Sequence, residues 1–260
     1  YELATELGVN RLAEYAYKLG LGKKLGFELV EERPGLVPTR EWKMGHFGAS
    51  WQPGETIVAT IGQGYIQTTP LQLAVMTARL VNGGKAVRPW VTGYIGLDTG
   101  TDELWPSLGV KKRNLDLIER GMRKVMDGAR GTARDWQIAE TAMHMGGKTG
   151  TAQVRRITMQ QRLDGVQNED LPWSARHHAL FVGYAPVSNP RYACSVVVEH
   201  GGSGSSTAAP IARDLLHMAQ LRAPAKSSLT PDGHSDGVVK APPRKPQRTG
   251  TRAQTQGGGA

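Results

Sequence analysis

At 260 residues with 39% hydrophobic side chains, the chain can form one large domain or two small ones around a real core, and the favoured division is one main domain plus a tail. Its net charge of +9 invites a nucleic-acid reading, but residues 221–260 hold seven Lys or Arg against Asp232 and Asp236, which puts +5 on that segment and +4 on the other 220 residues. With no nucleic-acid motif beside the charge, this pattern argues against a nucleic-acid-reading surface and for a solvated basic tail suited to an anionic membrane or polymer.

Leu3, Leu7, Leu12, Tyr15, Ala16 and Leu19 recur at helical spacing before Gly20 and Gly22, so residues 1–19 read as an amphipathic helix or two. Residues 23–60 are rich in Gly, Pro and charge and predict a long irregular connection, ordered by Trp42, Phe47 and Trp51. A well-marked helix follows, with Thr69 as N-cap, Pro70 at the first helical position, Gln72 completing a capping box and Asn82-Gly83-Gly84 closing it. Residues 86–95 read as a strand, 97–110 as a loop, and 114–127 as a second helix broken by Gly128 and Gly131. Gly147-Lys148-Thr149-Gly150-Thr151-Ala152-Gln153-Val154 enters a strand, residues 155–176 form a polar loop, and residues 179–185 and 192–199 flank a turn signal as a β-hairpin. Residues 201–206 read as a flexible Gly/Ser bridge to a last helix, 208–220, with Ile211, Leu215, Leu216 and Met218 as its apolar face. Beyond Ala223, prolines, basic residues and a Gly-rich end predict disorder. Helices first, then three neighbouring strands and a closing helix suit an α+β domain with helices packed on an antiparallel sheet.

Cys194 is the single cysteine, so neither an intramolecular disulfide nor a Cys-x-x-Cys site can form, and its apolar surroundings predict a packed strand residue rather than a nucleophile. No apolar window reaches the roughly 18–20 residues that cross a bilayer, and no signal-peptide pattern is present. The start at Tyr1 inside a helical pattern leads to the expectation that an upstream segment, with any anchor or signal, belongs before it.

The chemistry concentrates at Lys148-Thr149-Gly150. An ammonium followed by a hydroxyl and a residue without a side chain suits a site that holds a carboxylate, and a ligand lying along such a strand could pair with its backbone. Thr151 would then give its backbone N–H to a developing oxyanion. A phosphate loop is disfavoured because position 142 is Ala where that pattern needs Gly, and because a helix should follow the Lys-Thr. His144, His177, His178 and His200 lack metal-ligand spacing and read as structural or surface residues, and Asp164, Glu169 and Asp170 read as solvated loop acids. Gly62-Gln63-Gly64-Tyr65 is either a turn before a helix cap or a wall of the pocket beside the Lys-Thr-Gly strand. No Ser has Lys three positions on, and none begins Ser-x-Asn or Ser-x-Asp, so the nucleophile of a serine acyl-transferase is not in this sequence.

Residues 35–43, Trp51-Gln52-Pro53-Gly54-Glu55-Thr56, Ile61-Gly62-Gln63-Gly64-Tyr65, Thr68-Thr69-Pro70-Leu71-Gln72, Gly131-Thr132-Ala133, residues 147–154 and Glu199-His200-Gly201-Gly202-Ser203-Gly204, taken in order, resemble the C-terminal half of the transpeptidase domain of the penicillin-binding protein 2 family. The resemblance runs over about residues 1–220 and implies a penicillin-binding transpeptidase (β-lactamase-like) fold lacking its N-terminal part, with residues 1–222 in that domain and 223–260 as a disordered basic tail. It implies a serine D,D-transpeptidase of cell elongation that takes D-Ala-D-Ala stem peptides of peptidoglycan, binds β-lactams, uses no cofactor or metal, and works with a membrane-bound glycan polymerase and elongation complex. It also implies an inner-membrane anchor, absent from this chain, and a catalytic domain facing the periplasm. Carried onto this sequence, Lys148 binds the substrate carboxylate and shapes proton transfer, Thr149 and Gly150 bind substrate, and Thr151 forms half of the oxyanion hole. Since Ser-x-x-Lys precedes this region in the family, the 260-residue chain alone is expected to be inactive, poorly soluble, and bare on one face of its sheet. The rival expectations are a serine carboxypeptidase or β-lactamase relative, and a non-catalytic scaffold or remnant that meets cell-wall partners through its tail.

Overall fold

The computed structural model describes residues 1–27, 31–89, 105–155, 163, 165 and 168–222. The predicted tail, most of the predicted strand at 86–95, and much of the loops at 97–110 and 155–176 lie outside them. The first amphipathic stretch forms two helices, α1 (Glu2–Leu7) and α2 (Val9–Leu19), separated by Gly8 at φ 72°.

The irregular connection expected over 23–60 instead contains two helices, α3 (Arg40–Phe47) and α4 (Pro53–Thr60), and their start signals explain them. Thr39 caps α3 by accepting from the Trp42 N–H at 3.0 Å. At α4, Pro53 takes the first helical position and the Glu55 carboxylate reaches back to the Gln52 N–H at 2.7 Å. The half-buried Lys43–Glu55 pair, with Nζ–O distances of 2.6 Å, ties the two helices together. Trp42 packs on His46, Phe47 and Tyr65, and Trp51 donates its indole N–H to Thr56 at 2.9 Å. The density of Gly and Pro marked helix ends here rather than an absence of helices.

Helix α5 (Pro70–Val81) starts as the capping box predicts: Thr69 accepts from the Gln72 N–H at 3.2 Å and Gln72 Oε1 from the Thr69 N–H at 3.1 Å. Gln72 is also buried, and its amide donates to the carbonyls of Lys23 and Pro34 at 2.9 and 2.8 Å, which fastens the preceding loop to the helix. Buried Arg79 repeats the device by donating to Lys18 O and Val87 O at 2.9 and 2.9 Å. Within the described part of the predicted strand at 86–95, residues 86–89 form no strand; pairing here is an isolated bridge between Lys85 and Ser107. Helix α6 (Lys112–Asp127) follows, with Leu115, Met122 and Met126 buried.

Three strands, β1 (Gly146–Ala152), β2 (His178–Ala185) and β3 (Tyr192–Val198), form an antiparallel sheet in the order β1-β2-β3. β2 and β3 are the predicted hairpin, registered Ala179 to Val198 and Ala185 to Tyr192. Side chains alternate across the sheet, and both faces are used. Phe181 packs with Met126, Ile138, Met145 and Leu216 on one face, while Tyr184 packs with Met122 and Val187 on the other. The expectation of one bare sheet face is corrected in part: α6 and Val81 of α5 bring apolar side chains to the Tyr184 end of the second face, while Val197 on that face stays exposed.

The predicted flexible bridge is a π-helical turn, Gly204–Ala208, that runs into α7 (Ala209–Arg222). The expected apolar face of α7 is also corrected. Ala209, Ala212, Leu216 and Gln220 are buried, whereas Ile211, Leu215 and Met218 are exposed. Small alanines let the helix approach the sheet, and Gln220 fixes its rotation by donating to Met143 O at 3.1 Å.

Candidate functional site

All four predicted site residues lie on β1, whose Lys148, Thr149, Gly150 and Thr151 pair with Val182, Phe181, Leu180 and Ala179 of β2. Among the described residues β1 stands at the sheet's edge, with its second side unpaired. Gly147 makes this placement possible: a Cβ there would sit 2.3 Å from Phe181 Cζ, so the strand presses directly on the core before it delivers Lys148 to the surface.

Lys148 is exposed, and its ammonium donates to Thr149 O at 2.7 Å and Thr149 Oγ1 at 3.3 Å. Those are its only hydrogen bonds among the described residues, so a positive charge stands on the open edge with neutral oxygens for company. A carboxylate arriving there would gain about 1.5–3 kcal/mol per charge-assisted hydrogen bond.

Thr132, for which the sequence suggested no role, comes to the same place. The chain folds back after α6: Ala133 N donates to Val125 O at 3.1 Å, and a Cβ at Gly131 would lie 2.5 Å from the same carbonyl. This brings Thr132 Oγ1 within 3.3 Å of Thr149 Oγ1 and creates a row of ammonium and two hydroxyls. The signal was Gly128 and Gly131 breaking the helix just before Thr132, legible as a turn but silent about what the turn approaches.

Gln63 resolves the two readings left open for its segment. Its side-chain amide donates to Thr151 O at 3.2 Å, so the turn does stand beside the strand. Gly204, read from sequence as part of a spacer, is a packing residue: a Cβ would fall 2.4 Å from Gly150 O and 2.5 Å from Leu180 O. At the far end of β1, Val154 N donates to His177 Nδ1 at 3.4 Å, and His178 and Trp173 both stack edgewise on His200. These histidines shape the strand's exit, consistent with their structural reading. Burial pushes the Cys194 thiol up to about 11, against a smaller opposing effect of the Gly183 backbone, which suits a packed residue and not a nucleophile. Glu169 and Asp170 lie in a short 3-10 turn, while Asp164 is outside the described residues. Among the described residues no three His, Cys, Asp or Glu side chains gather as a metal site, and no helix is long and apolar enough to cross a membrane.

Comparison with known proteins bears on the family and the fold. Residues 1–217 match the penicillin binding protein transpeptidase domain. The chain is 36% identical over 223 residues to the peptidoglycan D,D-transpeptidase MrdA of Haemophilus influenzae, covering 83% of this chain and 33% of that protein. It is 32% identical over 224 residues to the Escherichia coli protein of the same name, covering 84% and 35%. The chain thus spans about a third of the length of these curated relatives. Among solved structures, Pseudomonas aeruginosa PBP2 in complex with WCK 5153 superposes with a TM-score of 0.69 at 39% identity, over 89% of this chain and 46% of that one. The PBP2 of a complex with MreC from Helicobacter pylori gives a TM-score of 0.70 at 25% identity, over 85% and 38%. The fold is that of a penicillin-binding protein transpeptidase, as the sequence resemblance implied.

Proposed function

The chain belongs to the penicillin-binding protein transpeptidase family, and on that premise we propose that it supplies one wall of the active site of a peptidoglycan D,D-transpeptidase of cell elongation. The observation that carries this reading is the row on the open edge of β1: the Lys148 ammonium beside the Thr149 and Thr132 hydroxyls, two residues before Thr151. Lys148 and Thr149 bind the terminal carboxylate of a D-Ala-D-Ala stem peptide, and Gly150, having no side chain, lets the substrate come close to the strand. A serine hydroxyl supplied from outside this sequence attacks the penultimate carbonyl. A C–O bond forms, the C–N bond breaks, and D-Ala leaves with the serine's proton. An amine of a neighbouring stem then displaces the serine from the acyl-enzyme. Thr151 N–H stabilises the oxyanion of each tetrahedral intermediate. β-Lactams carry a carboxylate and a strained amide in the same relation and acylate the same serine. The protein works at the periplasmic face of the inner membrane, with membrane-bound glycan polymerase and elongation partners, and the 260 residues alone are inactive.

A fluorescent penicillin tests this in the complete protein. Lys148→Ala should lower the second-order acylation rate on the order of 10²- to 10³-fold, and the isolated chain should form no covalent adduct. Unchanged acylation in Lys148→Ala would remove the site assignment. An adduct on the isolated chain would remove the claim that the nucleophile comes from elsewhere.

A further inference from the structure

We propose that Gln63 is a positioning residue of this site: its side-chain amide holds the outward carbonyl of Thr151, and thereby the direction of the Thr151 N–H. The proposal rests on the acyl-transfer reading of β1 and adds to it a residue from a different part of the chain.

The direction of Thr151 follows from strand geometry. In an antiparallel pair, alternate residues turn both backbone groups toward the partner strand and the residues between turn both away. Gly150 and Leu180 face each other across such a bonded pair, since a Cβ on Gly204 would touch Gly150 O, Leu180 O and Gly150 N at 2.4, 2.5 and 3.0 Å at once. Thr149 and Thr151 therefore turn outward. The two contacts made from outside agree: Lys148 Nζ reaches Thr149 O at 2.7 Å, and Gln63 Nε2 reaches Thr151 O at 3.2 Å. An N–H and C=O on one residue of a strand point the same way, so a donor that fixes Thr151 O also fixes where Thr151 N–H is aimed.

Gln63 is itself set on a built turn. Gly62 and Gly64 flank it at φ 75° and 73°, conformations that a side chain resists. Gln63 N donates to Val58 O at 3.1 Å and Gly62 N to Ala59 O at 2.9 Å, which fold the turn onto the end of α4. Beyond it Tyr65 is packed against Trp42 at 5.2 Å and Phe47 at 5.6 Å between ring centroids. Both φ-positive residues and the aromatic anchor serve to present one amide to an edge strand that has no neighbouring strand on that side among the described residues. An edge strand held by one partner alone can twist, and a small misalignment of an oxyanion donor costs rate more than affinity.

The test is acylation of the complete protein by a fluorescent penicillin, with the acylation rate constant k2 and the binding constant Ks resolved separately. Gln63→Met keeps the length of the side chain and removes the donor; it should lower k2 about tenfold and leave Ks within about twofold. Gln63→Glu should lose at least as much at roughly pH 8, where a carboxylate faces the carbonyl. Relative to the unmodified protein it should recover as the pH is lowered toward roughly 5, where protonation begins to restore a donor. Gln63→Met shows no such recovery. Equal losses in k2 and Ks, or a pH-independent loss in Gln63→Glu, would assign Gln63 a merely structural role and overturn the proposal. Lys148→Ala run alongside separates the failures. If it slows acylation as expected while both Gln63 variants match the unmodified protein, only this inference falls. If it acylates normally, the acyl-transfer reading falls and takes this inference with it.

Discussion

In the sheet half of the molecule Phe181 and Tyr184 are wholly buried among Met, Leu, Val and Ala side chains, whereas in the helical half much of the buried centre is taken by Gln72, Thr77 and Arg79. The first arrangement is held by apolar area, which is large and indifferent to direction. The second is held by hydrogen bonds that carry direction. Gln72 alone makes bonds to Thr69, Lys23 and Pro34, and Arg79 joins residues 18 and 87. A satisfied buried polar network fixes geometry more strictly than it adds stability. The difference matters because the site lies at the seam: Gln63 of the polar-pinned half touches Thr151, carried by the apolar half.

The largest effect should come from the apolar side. Phe181→Ala empties the space beneath Gly147 and should cost about 3–5 kcal/mol, read from thermal denaturation of the complete protein. A loss under about 1 kcal/mol would mean that the sheet half does not depend on this cluster. Next, Gln72→Leu keeps the volume and leaves Lys23 O, Pro34 O and Thr69 N–H without their partner. We expect a loss of about 2–3 kcal/mol, with hydrogen exchange rising over residues 20–36 while residues 178–198 keep their protection. Equal loss of protection in both segments would break the comparison, since the two halves would then open as one unit.

Legibility followed the same division. The hairpin of β2 and β3 could be read because an apolar run, the turn Pro186-Val187-Ser188-Asn189-Pro190 and a second apolar run are local signals, and the capping box at Thr69 could be read for the same reason. Helices α3 and α4 were missed although Thr39 and Pro53 are ordinary start signals, because each is only eight residues long and sits among glycines that weigh toward loop. Lys148 through Thr151 were found as a motif. Thr132 was given no role, and Gln63 was one residue of a segment left with two readings, since their contacts with Thr149 and Thr151 span 17 and 88 residues and no local pattern encodes them. The outward turn of Ile211, Leu215 and Met218 was illegible for a related reason. Helical periodicity marks an apolar face, but whether alanines or leucines meet the sheet is decided by how closely the helix can approach.

The smallest effect expected is electrostatic and would show whether direction or area holds α3 to α4. Burial raises the Glu55 carboxyl, but the Lys43 ammonium and the Gln52 N–H outweigh it and hold the group below its usual value of 4.5. A carboxyl lowered in the folded state lends stability that is complete above its unfolded pKa and is lost as the pH falls through the folded one. Stability from this pair should therefore be level from pH 7 to about 5 and decline below about 4.5. Glu55→Gln strands the Lys43 ammonium without its counter-charge. With the Glu55 side chain 24% exposed, the loss at neutral pH should be about 1–2 kcal/mol. Urea midpoints of the complete protein at pH 7 and pH 4 decide between two causes. A gap between variant and unmodified protein that narrows at the lower pH identifies the charge pair as the tie. A gap that is absent or constant would assign the junction to Trp42, Phe47 and Tyr65 and move α3 and α4 to the apolar side of the comparison.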